Sequence, residues 1–269
     1  MKNFKTFVTE DQELLLMSAA SDKRENDIMK AVKALGYDAS IPTTDPIYSD
    51  VLVKNPGGKH TRVWIEVKMN HSDQLGNVRA SYDGRKWYTA PESKGPLKGK
   101  MGPLKLYISK LLDRNASSFV KDVLKFTGKK KLSTNIGPQK KDPDTVNLEE
   151  MKSFLATQKN QYIVSVSVND LDKAIMDHYS KGGKAEPAFY LQAGDDFYRL
   201  SKEDPLGVAT DVPMFSGKGD FRMRVSIRSK QYEIQPELKV NSMPNSAYSL
   251  LPGTKKKNPF THNRVRTSA

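Results

Sequence analysis

Asp50, Glu66 and Lys68 have the types and spacing to act together on a phosphate ester. Two carboxylates brought side by side offer hard oxygen ligands, which suit Mg²⁺ or Mn²⁺. A cation held there neutralises charge on a phosphate and lowers the pKa of an attacking water. An ammonium such as that of Lys68 belongs next to that water or the scissile phosphate. No comparable case exists for other chemistries. The four histidines, His60, His71, His178 and His262, have no metal-ligand spacing, and His71, near the acids, reads as a bystander. A Ser–His–Asp set has no local support, Walker-type glycine loops are absent, and the chain has no cysteine, which excludes disulfides and zinc–thiolate sites.

The elements that must position these residues can be read from the pattern. Residues 47–54 and 61–69 are two strands joined by the turn chemistry of Asn55-Pro56-Gly57-Gly58-Lys59-His60. Facing residues of an antiparallel hairpin have a constant index sum, here near 115, and Asp50 plus Glu66 gives 116. The carboxylates are therefore opposite or nearly so. Glu66 and Lys68 share one strand face, while Val63, Ile65 and Val67 take the other. Before the hairpin, residues 11–36 read as helix, with Ile28, Val32 and Leu35 at helical spacing and Gly36 as the stop. Asp22 and Glu25 have capping-box spacing. A short strand follows at 37–41. Further on, 70–105 is loop-rich, 104–126 is helical with a break near Asn115, and 148–159 and 171–180 are helices. Strands are expected at 161–168, 187–192, 196–201, 221–228 and 231–240. Glu-x-Lys recurs at Glu92, Glu150 and Glu237. The Glu237 set is the rival, with Asp220 upstream, but its sum of 457 misses the hairpin value near 460, and Pro236 interrupts the strand.

The order helix, three strands, helix, strand resembles the αβββαβ core of the PD-(D/E)XK, restriction-endonuclease-like nucleases. The motif residues are Ser49-Asp50 and Glu66-Val67-Lys68, with Ser49 where the family often has proline. The resemblance covers residues 21–70 and, more loosely, 148–168. It implies an α/β (α+β) fold and a Mg²⁺- or Mn²⁺-dependent DNA endonuclease. Asp50, Glu66 and the Val67 carbonyl would be metal ligands, and Lys68 would be catalytic. It also brings in Glu25 as an acid aimed at the metal from the first helix, and Gln74 as a contact to phosphate or water. The expected organisation is one nuclease-like domain over 11–245, a basic insertion at 70–147, a C-terminal β extension, and a basic disordered tail at 246–269.

Charge points to a polyanion. The chain of 269 residues carries +13, and residues 84–141 hold 15 Lys or Arg against three acids. Aromatic residues lie within this stretch, which suits nucleic acid. Arg85, Lys86, Lys129, Lys130 and Lys131 are the expected DNA contacts. No apolar run is long enough to span a bilayer, and no secretory signal is visible. The first ten residues, Met1 to Glu10, resemble the capsid-targeting sequence of T-even-like phage internal head proteins, with Val8-Thr9-Glu10 as the cleavage site. That implies a bacterial host cytoplasm and packaging inside a phage head. Two other classes stay open: a non-catalytic DNA-binding virion protein with a nuclease-like fold, and an RNA-binding protein. A homodimer is also left open.

Overall fold

The structure, a computed structural model, describes residues 10–45, 47–57, 59–70, 78, 80–89, 91, 95–132, 142–228 and 231–260; for 10–18, 95, 228 and 231–233 it describes the backbone alone. In chain order the elements are α1 (Glu10–Ala34), β1 (Asp38–Ser40), β2 (Val51–Gly57), β3 (His60–Lys68), β4 (Ala80–Tyr82), β5 (Trp87–Thr89) and a 3₁₀ turn (Gly95–Leu97). Next come α2 (Pro103–Asn115), α3 (Ser117–Thr127), α4 (Leu148–Thr157), β6 (Tyr162–Val168) and α5 (Leu171–Ser180). The last are β7 (Ala188–Ala193), β8 (Asp196–Arg199), β9 (Lys218–Arg228) and β10 (Gln231–Ser242). Among the described residues this is a mixed α+β fold with two five-stranded sheets and five α-helices. No helix among the described residues is long and apolar enough to cross a membrane.

The chain divides into two compact units, where the sequence leads one to expect a single domain over 11–245 with an insertion at 70–147. The first unit takes residues up to 70, 188–214 and 245 onward. Its sheet has the order β1-β2-β3-β7-β8. The neighbours are antiparallel except for β3 and β7, which run parallel. A parallel pair needs a long crossover, and here it spans everything between Lys68 and Ala188. Helix α1 lays Ile28, Val32 and Leu35 against Val51, Val53, Val63, Ile65 and Val67. It ends where Gly36, at φ 87, takes a left-handed conformation that suits glycine. The helix runs unbroken through Asp22, so the Asp22–Glu25 capping box does not form. Good helix formers such as Leu14 to Met17 carry the helix upstream of it.

The tail expected to be disordered from 246 is, as far as Phe260, part of this unit's core. Tyr248, Leu250 and Phe260 are buried there. The Leu250 N–H donates to the Gln192 amide oxygen Oε1 at 2.9 Å, the Ser246 N–H to Asp196 Oδ1 at 2.7 Å, and the Phe197 N–H to the Tyr248 carbonyl at 2.9 Å. Lys256 pairs with Asp196. Charge density hides this segment in the sequence, because its apolar anchors are spaced too widely to read as an element.

The second unit comprises 71–187 and 215–244. Its sheet, β5-β4-β10-β9-β6, is wholly antiparallel. The basic insertion is therefore not a decoration ending at 147. It recruits β6, α5 and the long β9–β10 hairpin, in place of the expected C-terminal extension. The fourth strand of the first sheet is β7, whereas β6, expected to close the αβββαβ core, pairs with β9. Sequence explains the exchange. Tyr162-Ile-Val-Ser-Val-Ser-Val168 alternates and shows one face to solvent, while all six residues of β7 are buried, as an interior parallel strand requires. Pro236 does not interrupt β10: the ladder with β9 keeps register through Pro236 opposite Met223.

Candidate active site

All strands and helices that carry the candidate acids belong to the first unit. The β2–β3 ladder pairs Val51 with Ile65 and Lys54 with Arg62, an index sum of 116. Extending that register by one residue sets Asp50, immediately before β2, opposite Glu66. The Val67 N–H closes the arrangement by donating to Asp50 Oδ2 at 2.7 Å. Lys68, two residues beyond Glu66 and on its face, places Nζ 2.5 Å from Glu66 Oε1. Glu66 is 1% exposed and shares its strand face with Trp64, also 1% exposed. An acid at such a position is rare unless paired or functional. Ser49, where the family often carries proline, is buried as well.

Electrostatics makes the cluster a destabilised one. Burial and then the charge of Glu66 push the Asp50 carboxyl up to about 7, against the opposing pull of the Lys68 ammonium and the Val67 N–H. Glu25 contributes to the same rise from α1. The Glu25 carboxyl is itself raised, chiefly by burial, with Ser21 donating to Oε1 at 3.2 Å and lowering it, and with Lys68 and Glu66 among the charges it senses. Three carboxylates and one ammonium thus share one field. Three acids held this close favour either a shared proton or a cation.

Hard oxygen donors of this kind fit Mg²⁺ or Mn²⁺, which commonly use one or two carboxylates and retain waters. Among the described residues, no three His, Asp, Glu or Cys side chains are already gathered at metal-ligand geometry. Asp50 and Glu66 are the pair that could hold the ion, and the Val67 carbonyl borders them in sequence.

The other candidates separate. Gln74 and His71 lie outside the described residues. The rival acids are not together: Asp220 faces Lys239 and Glu237 faces Arg222, whose guanidinium lies 3.5 Å from Glu237 Oε1. In the second unit Arg85 and Lys86 are exposed at the β4–β5 turn. Lys129, Lys130 and Lys131 each lie beside an acid: Glu150 at 3.1 Å, Asp144 at 3.5 Å and Asp142 at 3.6 Å. A residue that sequence reasoning misses is Arg24, next to Glu25. Its Nη1 is buried and has no hydrogen-bond partner. The available signal is its spacing of four from Ile28, which puts it on the packed side of α1. A cleft of about 530 Å³ lies at the far end of the hairpin, lined by Tyr37, Pro56, Lys59, His60, Glu203 and Leu206. Seven residues of strand separate Asp50 from Gly57, roughly 20 Å, so the cleft is not part of the acid cluster.

No family model, curated protein or solved structure matches this chain.

Proposed function

We propose that the protein is a divalent-metal-dependent DNA endonuclease of the PD-(D/E)XK kind, with Asp50, Glu66 and Lys68 at its centre. The observation that carries this reading is the cross-strand meeting of Asp50 with Glu66, fixed by the Val67 N–H and flanked by the Lys68 ammonium. A surface hairpin with ordinary charges would leave these groups in water, where none would be buried or raised in pKa. The first unit's order of helix, three antiparallel strands and a fourth strand parallel to the third supports the same kinship in part, since the helices between β3 and β7 belong to the second unit.

A divalent cation at the two carboxylates would activate a water and neutralise phosphate charge. The chain's own groups supply the rest. The Val67 N–H orients the Asp50 carboxylate. Lys68, 21% exposed at its side chain, can leave Glu66 for a phosphate oxygen or the attacking water. Glu25 adds negative potential that favours bound positive charge at Asp50, proton and cation alike. The test is conversion of supercoiled plasmid to nicked or linear DNA with Mg²⁺, with Mn²⁺ and with EDTA. Metal-dependent conversion that disappears in Asp50→Ala and Glu66→Ala is the expected result.

The second reading is a DNA-binding virion protein that keeps the fold without catalysis. It draws on the excess of positive charge in the second unit, 27 Lys or Arg against 16 acids. DNA bound but uncut under every metal condition would select it. The phage-head setting falls on residues 1–9, outside the described residues, and on Glu10. Its test is mass spectrometry of virions, where a chain starting at Asp11 is expected.

A further inference from the structure

Resting on the reading of DNA as substrate, we propose that the second unit grips the phosphate backbone with Arg85 and Lys86 of the β4–β5 turn and Lys110 and Arg114 of α2. Lys129 to Lys131 act instead as a clamp within the unit.

The two groups of cations differ in what surrounds them. Lys129 Nζ donates to the Pro143 carbonyl at 2.7 Å besides pairing with Glu150. The backbone of the run is tied to the same segment, with the Lys130 and Lys131 N–H groups on the Asp144 carbonyl and the Val146 N–H on the Lys131 carbonyl. Three lysines thus meet Asp142, Asp144 and Glu150, and the local charge cancels. Phosphates gain little from cations whose field is already offset.

The other four cations are exposed, and the one acid whose charge is felt by any of them is Asp83, beside Lys86, among the described residues. Lys110 and Arg114 are four apart on α2 and share one face. Leu106, one turn earlier in the same row, is 48% exposed, so this face of α2 is open along its length. The turn bearing Arg85 and Lys86 is fastened to the same helix, because Asp113 Oδ1 accepts the Trp87 N–H at 3.0 Å. Asp83 Oδ1 accepts both the Arg85 and Lys86 N–H groups at 2.9 Å, which makes the turn rigid and holds that carboxylate below its ordinary range. Asp83 and Asp113 are therefore turned onto backbone donors and Asp170 onto the Tyr107 hydroxyl, while the cations stay exposed on a fixed helix and a fixed turn. Such an array suits a sequence-independent hold on phosphates.

The experiment compares two variants that remove the same charge: R85Q/K110Q/R114Q and K129Q/K130Q/K131Q. Binding of a fluorescein-labelled duplex of about 30 base pairs is followed by anisotropy from low to high salt in EDTA, so that cutting plays no part. Each phosphate that the protein no longer neutralises flattens the log–log salt slope by about 0.9. The first variant should flatten it by about 2.7 without lowering the melting temperature. The second should leave the slope nearly unchanged and lower the melting temperature, because it breaks the clamp. Equal flattening, or more from the second variant, overturns the proposal, as does a wild-type chain with no salt-dependent binding. A wild-type chain that binds in this way but cuts nothing removes the catalytic reading and leaves this one standing.

Discussion

Asp50 is the residue where function and stability pull against each other. Its carboxyl titrates near 7 in the folded chain and near 3.8 when solvated. The folded state holds a proton that the unfolded state releases, so its contribution is favourable at low pH and is lost as pH rises from about 4 to about 7. At 1.36 kcal/mol per unit, about 4 kcal/mol is the upper bound for this loss. Asp50→Asn should therefore be inactive yet more stable than wild type at pH 8, with an advantage that shrinks towards pH 4. Thermal melts at both pH values check this, and an equal advantage at each would contradict the assigned electrostatics. Mg²⁺ at pH 8 should raise the melting temperature of wild type and not of the variant, because the ion replaces the proton. Lys68→Ala should also lose cleavage while calorimetry still detects Mn²⁺ binding, since an ammonium donates and cannot ligate. Metal binding abolished in Lys68→Ala would mean that lysine organises the acids rather than the phosphate.

Among the elements, the segment after β10 carries an unexpected share of the first unit's core. Burying Tyr248, Leu250 and Phe260 contributes roughly 2 kcal/mol each, or about 6 kcal/mol together, which is comparable with the whole stability of many domains. A chain ended after Asn245 should be insoluble or lack a cooperative melt, and Tyr248→Ala/Leu250→Ala in the full chain should lower the melting temperature. Far-UV circular dichroism melts of the truncated chain and the double variant decide it, and a well-folded shorter chain would show that the segment only lies against the core. The β2–β3 hairpin is legible in the sequence because turn residues fix its centre and the index sum then fixes who faces whom. The acids, the lysine and the apolar face of Val63, Ile65 and Val67 all follow from that one number. Strands β4 and β5 are not legible. Three residues each, they lie in Gly- and Pro-rich sequence, and the link from Trp87 to Asp113 of α2 is non-local. The sequence does carry a signal for β7 rather than β6 as fourth strand, although chain order alone points to β6. Alternation marks a half-solvated strand, and the unbroken apolar run of Ala188-Phe-Tyr-Leu191 marks an interior one.

Over the whole molecule, charge divides as the fold does. The first unit's residues include 17 Lys or Arg against 15 acids, and the second unit's include 27 against 16. Nearly all the excess positive charge therefore sits in the unit that lacks the acid cluster. Cation binding and polyanion binding should consequently leave separate footprints. In hydrogen exchange, Mn²⁺ without DNA should slow the amides around Asp50 and Glu66–Lys68 and leave those of α2 and the β4–β5 turn unchanged. DNA without metal should slow the second set, because the phosphates need only the cations there. The measurement is made on the full chain, so it does not depend on either unit folding alone. Protection of α2 by metal alone, or protection confined to the acid cluster by DNA alone, would show that the two kinds of binding are not divided between the units in this way.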